Sequence, residues 1–587
     1  MGGHYLEIKL SKIRIANYKC YERIEVDLKN ELLLIGSNNV GKTAFLEAIK
    51  IAFSKNSLVT KEEVYFKEGE EVPQDRKIII DVLIEPIEDE FSDQWFELFG
   101  DLIINEPESV ALRTIFSHNE LKEEYKQENK ALNYWPEFND FLDFEEYKSS
   151  NVSNLIFDSI PVFYLDAKRD INDDLQKKYS YWGRLVGDIK FKSDKRNQLE
   201  QELYDLNIDI VNNSDVLEHV SKKLKDISSV TGSENNSVQI NAISEKITDI
   251  GRGMDIKIKS EGSESISISK QGMGTRSWAT FLAFSSYLEW KNLQMIKEEL
   301  PFYPILLLEE PEAHLHPQAQ RRIYHQIIDL EGQKVVSTHS NIIATQTDIE
   351  SVLYVSKKSS YSNIDYIDFS GVNKKDKYKI EREVLYSRGE LIFSDCLILC
   401  EGITEERLLP AYFEKYFGVP YYEYGINIVS VDGYKNYVPF LQFAKSLNID
   451  TFIFSDGEEF AIKKVKNDYR YVHGKGDRST EFEEVISKYI TFIPDGLDTE
   501  KYLVEHYELE LFTTLIDEIE GKEDFISSYQ SGDKDHNESE KVLKYLSKNK
   551  SIYSKKLADY IEQQVDFEIL EPYNEFFRKL NDFKKYI

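Results

Sequence analysis

The sequence predicts an α/β protein of two successive modules, and three observations carry that reading. Apolar strand-like runs that end at glycine or acidic residues lead directly into helical patterns, near the N-terminus and again beyond residue 390. A glycine-containing loop, GSNNVGKT at 36–43, lies between one such strand and one such helix. A Lys/Ser/Tyr-rich polar stretch at about 356–388 separates an earlier α/β series from a later one. At 587 residues the chain exceeds what one hydrophobic core supports, so roughly two to four domains are expected.

The elements follow in order. Residues 5–35 alternate like two strands, EIKLSKIRIANY and RIEVDLKNELLLIG, and the second enters the loop and then the helical pattern TAFLEAIKIAF. KIIIDVLIEP at 77–86 and LIFDSIPVFYLD at 155–166 predict further strands. Residues 188–230 are charged and helical in spacing, predicting a projecting hairpin that is either an oligomer contact or a solvated helix pair. Strand character returns at 238–268, in FYPILLLEEPE and in KVVSTHS at 334–340. The later series, DCLILCEG, INIVSVDG, DTFIFSDG and YITFIPDG, places four strands with acids or glycines at their ends, which implies one functional edge. The expected partition is 1–187, an insertion at 188–230, 231–370, and a second module at 371–587.

Composition narrows the class. The 41% hydrophobic and 13% aromatic content exclude a disordered chain, and no apolar run reaches the roughly 20 residues that span a bilayer. The N-terminal MGGHYLEIKLSKIRI alternates rather than forming a secretory signal, so the expected location is cytoplasmic, with no membrane partner. Cys396 and Cys400 lie in one apolar run without a second Cys/His pair, and read as buried reduced thiols. A formal charge of −32 argues against nucleic-acid binding over the whole surface but leaves room for a local basic stripe.

GSNNVGKT fits G-x-x-x-x-G-K-[ST] at every fixed position. The backbone of Gly36, Asn38, Asn39 and Gly41 would face phosphates, Lys42 would reach the β/γ oxygens of ATP, and Thr43 would coordinate Mg²⁺. ILLLEEPEAHLHP at 305–317 ends a doubly buried strand in paired carboxylates. With this block the first module resembles the ABC-type ATPases of the SMC and Rad50 kind. That resemblance implies Glu309 on the metal side, in place of the usual Asp, Glu310 polarising the attacking water, and His339 in STHS sensing the γ-phosphate. It also matches SISKQGMGTRS at 267–277 to the signature loop, with Gly272 and Gly274 approaching phosphate in a head-to-head dimer, and YLDAKRD at 164–170 to a segment carrying an Arg-Asp pair.

In the second module LILCEGITEERLLP places Glu401 at a strand end and Glu405 at a helix start, and FIFSDGEE adds Asp456 and Glu458. These motifs resemble the Toprim domain, with Asp-Gly-Glu where the family has Asp-x-Asp. Carboxylates gathered at strand ends repel one another unless Mg²⁺ or Mn²⁺ neutralises them, and a two-metal phosphodiesterase needs that arrangement. Asp498 and Glu500 offer further ligands. The resemblance further implies a lysine near the C-terminus that stabilises transition-state charge; of Lys555 and Lys556, Lys555 is favoured. AIKKVKNDYRYVHGKGDR supplies Lys463, Lys464, Lys466, Arg470, Lys475 and Arg478, interleaved with Tyr469 and Tyr471, as a candidate DNA contact or a charged loop.

P-loop ATPase followed by Toprim is the order found in the OLD (overcoming lysogenization defect) nucleases, which the whole chain resembles. The resemblance implies an ATP-regulated, metal-dependent DNA endonuclease, homo-oligomeric through its ATPase modules, serving antiphage defence. It also suggests a UvrD-like helicase subunit or a retron reverse transcriptase with its RNA–DNA as partner. The competing reading is a non-cleaving ATP-driven DNA clamp or repair scaffold, kept open by the Asp-Gly-Glu departure.

Overall fold

The computed structural model describes residues 7–67, 69–70, 76–119, 124–168, 171, 180–181, 184, 193–214, 217, 256–258, 264–358, 360–367, 372–474, 477–529 and 537–582. The chain divides into two compact units, one of Met1–Leu34, Gly41–Ile343 and Lys357–Asn363, the other of Ile35–Val40, Ala344–Ser356 and Ile364–Ile587.

In the first unit β1 (Ile8–Tyr18) and β2 (Tyr21–Asp27) pair antiparallel, and β3 (Glu31–Ile35) precedes the glycine loop and α1 (Lys42–Ala52). β4 (Ile78–Pro86), β5 (Glu108–Asn119) and β6 (Glu124–Leu132) continue the antiparallel sheet in the order β2-β1-β4-β5-β6. Arg113 and Asp81, 1% and 0% exposed, lie on adjacent strands of this sheet and pair through two hydrogen bonds of 2.7 and 2.6 Å, so neither charge is buried without a partner. Further along the chain come β7 (Val162–Leu165), α2 (Ser193–Asn212), α3 (Met273–Lys297), β8 (Ile305–Glu309), α4 (Pro317–Ile328) and β9 (Gln333–Ser337). β7, β8, β9 and β3 form a parallel sheet in that order, so their carboxyl ends share one edge. The unbroken apolar run of β8 follows from this place in the middle: Ile305, Leu306, Leu307 and Leu308 are each at most 1% exposed.

Of the expected helical insertion, residues 193–214 and 217 are described, with α2 its helix; the rest of that segment lies outside the described residues. Its faces carry spaced charges such as the Arg196–Glu200 pair at 3.1 Å. Of the expected strand region at 238–268, the described part pairs Lys257–Ile258 with Ile266–Ser267 antiparallel.

The second unit contains β10 (Cys396–Cys400), α5 (Ile403–Phe417), β11 (Ile426–Ser430), β12 (Asp450–Ser455), α6 (Glu459–His473), β13 (Ile490–Phe492), α7 (Thr499–His506), α8 (Lys550–Gln563) and α9 (Glu571–Asp582). Its sheet is wholly parallel, in the order β11-β10-β12-β13. α5 packs against α8 and α9, with Tyr412 and Phe413 meeting Tyr573 and Phe577, while α9 also meets the sheet directly through Tyr573 and Phe576 on Phe454. Cys396 and Cys400 are buried free thiols on β10. Among the described residues no helix is long and apolar enough to cross a membrane.

Candidate functional site

β3 is buried through Ile35, and the loop after it exposes Ser37, Asn38 and Asn39, the last with φ 62°. The Tyr21 hydroxyl donates to the Gly41 carbonyl at 2.9 Å, fixing the residue from which α1 starts. Lys42 is 7% exposed; burial lowers its amine to about 8, although Glu310, Glu309 and Glu312 favour the charged form. The ammonium therefore faces three acids that follow β8.

Glu309 is held at both oxygens. Thr43 donates its hydroxyl to Oε1, and Tyr164, at the end of the neighbouring β7, donates to Oε2 at 2.5 Å. Glu310 has φ 42°, with its N–H on the Ser337 carbonyl at 2.9 Å. That contact brings the turn after β8 to the end of β9, where His339 Nε2 lies 3.6 Å from Glu310 Oε1. Burial and Lys42 lower the His339 pKa while Glu310 opposes them. Glu312, which no motif singled out, accepts from the Thr338 hydroxyl at 2.6 Å and the His339 N–H at 3.0 Å, and burial raises its carboxyl. It locks the two turns together.

The two glycines of the expected signature loop have different surroundings. Gly272 is the N-cap of α3 and has open space where a Cβ would be. Gly274 is needed for a close approach to backbone, since its Cβ would lie 2.6 Å from the His314 carbonyl oxygen. That approach is to the segment after β8. Arg169 and Asp170 of the expected Arg-Asp pair lie outside the described residues.

In the second unit β10 runs into Glu401 and the adjacent β12 into Asp456, so both carboxylates lie at one edge. Glu401 accepts from the Ser455 hydroxyl at 2.9 Å and from the N–H groups of Asp456 and Tyr434; burial raises its pKa, with Glu458 adding to the rise. Glu405 accepts the Gly402 N–H at 2.7 Å, capping α5, and burial and Glu500 raise its pKa. Asp456 accepts the N–H and hydroxyl of Thr499 at 2.9 and 3.0 Å, yet burial, Glu405 and Glu401 push it up to about 8.

The middle position of Asp-Gly-Glu is restricted to glycine by a steric contact. A Cβ on Gly457 would lie 1.8 Å from the Ile493 carbonyl oxygen, and its N–H donates to Leu497 at 2.9 Å. Glu458 then becomes the half-buried N-cap residue of α6. Asp498 is directed elsewhere: it caps α7 by accepting the Lys501 N–H at 2.8 Å and pairs with the Lys501 amine at 2.8 Å.

Glu500 is 3% exposed and fully engaged. Thr404 and Tyr553 each donate to Oε1 at 2.7 Å, and the Lys550 amine donates to Oε2 at 2.8 Å. Lys550, and neither Lys555 nor Lys556, reaches this carboxylate. Lys550 and Tyr553 share the face of α8 turned to α5, whereas Lys555 is exposed and Lys556 pairs with Glu518 at 3.7 Å. Glu500, Glu405 and Asp456 all favour the charged form of Lys550, and its pKa is raised despite the opposing effect of burial.

Among the described residues no three Asp, Glu, His or Cys side chains converge closely enough to hold one ion. The donor chemistry of Glu401, Glu405, Asp456 and Glu458 is nonetheless all hard oxygen, the kind Mg²⁺ and Mn²⁺ take. Burial is the main cause of the raised pKa of Glu401, Glu405 and Asp456, and nearby carboxylates add to each rise, which a bound cation would offset.

The basic segment is helical through His473, and three of its six cations are paired with acids among the described residues. Lys464 pairs with Asp468, Lys466 lies 3.4 Å from Glu483, and Arg470 pairs with the same Glu483. Tyr469 is buried and stacked on His473, with ring centroids 4.5 Å apart, so it cannot receive a base. Lys463, Tyr471 and Arg478 are exposed, and Lys475 lies outside the described residues.

These two sites on these two sheets define an ABC-type P-loop ATPase joined to a TOPRIM domain. The AAA ATPase domain family matches residues 8–344, more than half of the chain, and the chain belongs to that family; its second module matches the overcoming lysogenization defect protein-like TOPRIM domain over residues 392–457. The uncharacterized protein YbjD of Escherichia coli (strain K12) is 27% identical over 234 residues, 39% of this chain and 40% of that protein. Endonuclease GajA of Bacillus cereus (strain HuB5-5) is 23% identical over 324 residues, 46% of this chain and 47% of that protein. Endonuclease GajA of Bacillus cereus (strain VD045) is 22% identical over 606 residues, 96% of this chain and 97% of that protein. The chain thus spans less than half the length of the first two.

Proposed function

We propose that the chain is a metal-dependent DNA endonuclease of the OLD type, regulated by nucleotide at its ATPase module and acting in the cytoplasm as an antiphage effector. The observation that carries this reading is the gathering of Glu401, Glu405 and Asp456 at the carboxyl edge of adjacent parallel strands. The names of the GajA relatives support the nuclease assignment and DNA as substrate. Glu401, Glu405, Asp456 and Glu458 would hold Mg²⁺ or Mn²⁺, which when bound activates water and stabilises the leaving oxygen. Ser455 and Thr499 keep the Glu401 and Asp456 carboxylates oriented. Lys550 sets a positive charge beside the same acids, where it offsets the charge of the scissile phosphate. At the other site Lys42 faces the phosphates, Thr43 and Glu309 serve the metal, and Glu310, beside His339, polarises water.

The test pairs two readouts. Glu401→Ala and Asp456→Ala should each lose plasmid cleavage by orders of magnitude across a Mg²⁺ and Mn²⁺ series while retaining ATP binding. Full cleavage by either folded variant removes that residue from the site. The clamp reading draws on the complete engagement of Glu500 by Thr404, Tyr553 and Lys550. Metal binding without cleavage by the wild type, under every metal, selects it.

A further inference from the structure

α6 begins at the carboxylate site and carries an exposed stripe that no core packing explains. Phe460, two residues beyond Glu458, is 53% exposed, and Tyr471 near the other end of the helix is 52% exposed. Lys463 and Asn467, also exposed, fall between them at helical spacing, so the four residues share one face. Lys466 and Arg470, off this face, pair with Glu483, and Lys464, on it, pairs with Asp468; Lys463 has no acidic partner among the described residues.

The stripe is continuous with the site through Tyr434. The Tyr434 N–H donates to the Glu401 carboxylate, and its ring lies 5.1 Å from that of Phe460, tilted by 58°. Lys435 places its amine 5.2 Å from the Tyr434 ring centre. Two aromatic rings and a lysine thus flank the carboxylates, with a lysine and a third ring further along the helix.

We propose that Tyr434, Phe460, Lys463 and Tyr471 form a stacking track for an unpaired DNA strand, so that the preferred substrate carries unpaired bases next to the scissile phosphate. The proposal rests on the nuclease reading of the carboxylate site. Three arguments select this occupant. A chain of charge −32 with most of α6's cations neutralised is poorly equipped to hold duplex by phosphate contacts. Exposed rings bind the π-faces of bases, which a duplex keeps covered and an unpaired strand presents. From Phe460 to Tyr471 the helix rises about 16 Å, near the length of five stacked nucleotides at about 3.4 Å each.

The full chain is tested in EDTA, by fluorescence anisotropy, against a 20-nucleotide strand, the same strand without bases, and the duplex. Wild type should prefer the base-bearing strand, and a 2-aminopurine in it should be quenched. Phe460→Ala and Tyr471→Ala should each weaken that binding by about 5- to 150-fold, the equivalent of ~1–3 kcal/mol of stacking, with Phe460→Tyr restoring it. Lys463→Ala should lower the salt slope by about 0.7. Equal affinity for strands with and without bases, or wild-type affinity in both alanine variants, overturns the proposal. So does a Phe460→Ala variant that shifts from oligomer to monomer in sedimentation with strand affinity unchanged, which makes the stripe a contact between copies. Cleavage is then compared on duplexes with and without a short unpaired bubble. Quenching without cleavage under any metal refutes the nuclease reading and leaves the track; cleavage with an unaltered bubble preference in Phe460→Ala refutes the track and leaves the nuclease.

Discussion

Metal binding at the TOPRIM site should expel a proton held by the buried acids. Asp456 is pushed from 3.8 to about 8 by burial and by Glu405 and Glu401. At pH 7 a group titrating near 8 is about 90% protonated, because each unit of distance from the pKa is a factor of ten. The folded protein therefore holds a proton that the unfolded chain has released. The associated stability is fully present below the unfolded value of 3.8 and is lost as pH rises through about 8, at up to about 1.4 kcal/mol per pH unit in between. A divalent ion takes the ionised form, so its binding should release about 0.9 proton at pH 7 and about 0.1 at pH 9. Apparent affinity should climb by nearly tenfold per unit between about pH 5 and 7 and level off above 8. Glu405 and Asp456 titrate together, so the released proton belongs to that pair. Calorimetry of Mg²⁺ or Mn²⁺ binding in two buffers of different ionisation enthalpy reads the proton count directly, and Asp456→Asn should reduce it. Zero release at pH 7, or release unchanged in that variant, refutes the electrostatic reasoning.

Three further outcomes follow. Lys42→Ala should abolish nucleotide binding by calorimetry, because it removes the buried ammonium that faces the acids after β8. Tyr164→Phe should weaken Mg²⁺-nucleotide binding by about tenfold or more while sparing metal-free nucleotide, since it deletes a hydrogen bond to a charged carboxylate worth ~1.5–3 kcal/mol; equal loss with and without Mg²⁺ would assign Tyr164 to general packing. Lys550→Ala should lower plasmid nicking by about 100-fold or more and Lys555→Ala should not, and the reverse pattern would return the role to Lys555.

What the sequence by itself determined is local. The loop at 36–43 is a contiguous pattern flanked by a strand and a helix, and Glu401 and Asp456 end apolar runs, which parallel strands bring to one edge by geometry alone. Asp-Gly-Glu was legible as a departure at Glu458, but that its middle residue must be glycine needed the Ile493 carbonyl against Gly457. Tertiary packing decided which distant groups meet. Tyr164 reaches Glu309 because β7 lies beside β8, 145 residues away along the chain. Lys550, and not Lys555, reaches Glu500 because the helical phase of α8 turns Lys550 and Tyr553 toward α5. The charge of the 463–478 segment was misleading for the same reason. Sequence counts cations, whereas Asp468 and Glu483 pair with three of them, the buried face of α6 takes Tyr469, and its exposed face keeps Phe460 and Tyr471. A motif records spacing along one element; the partner of a charge is set by how elements pack.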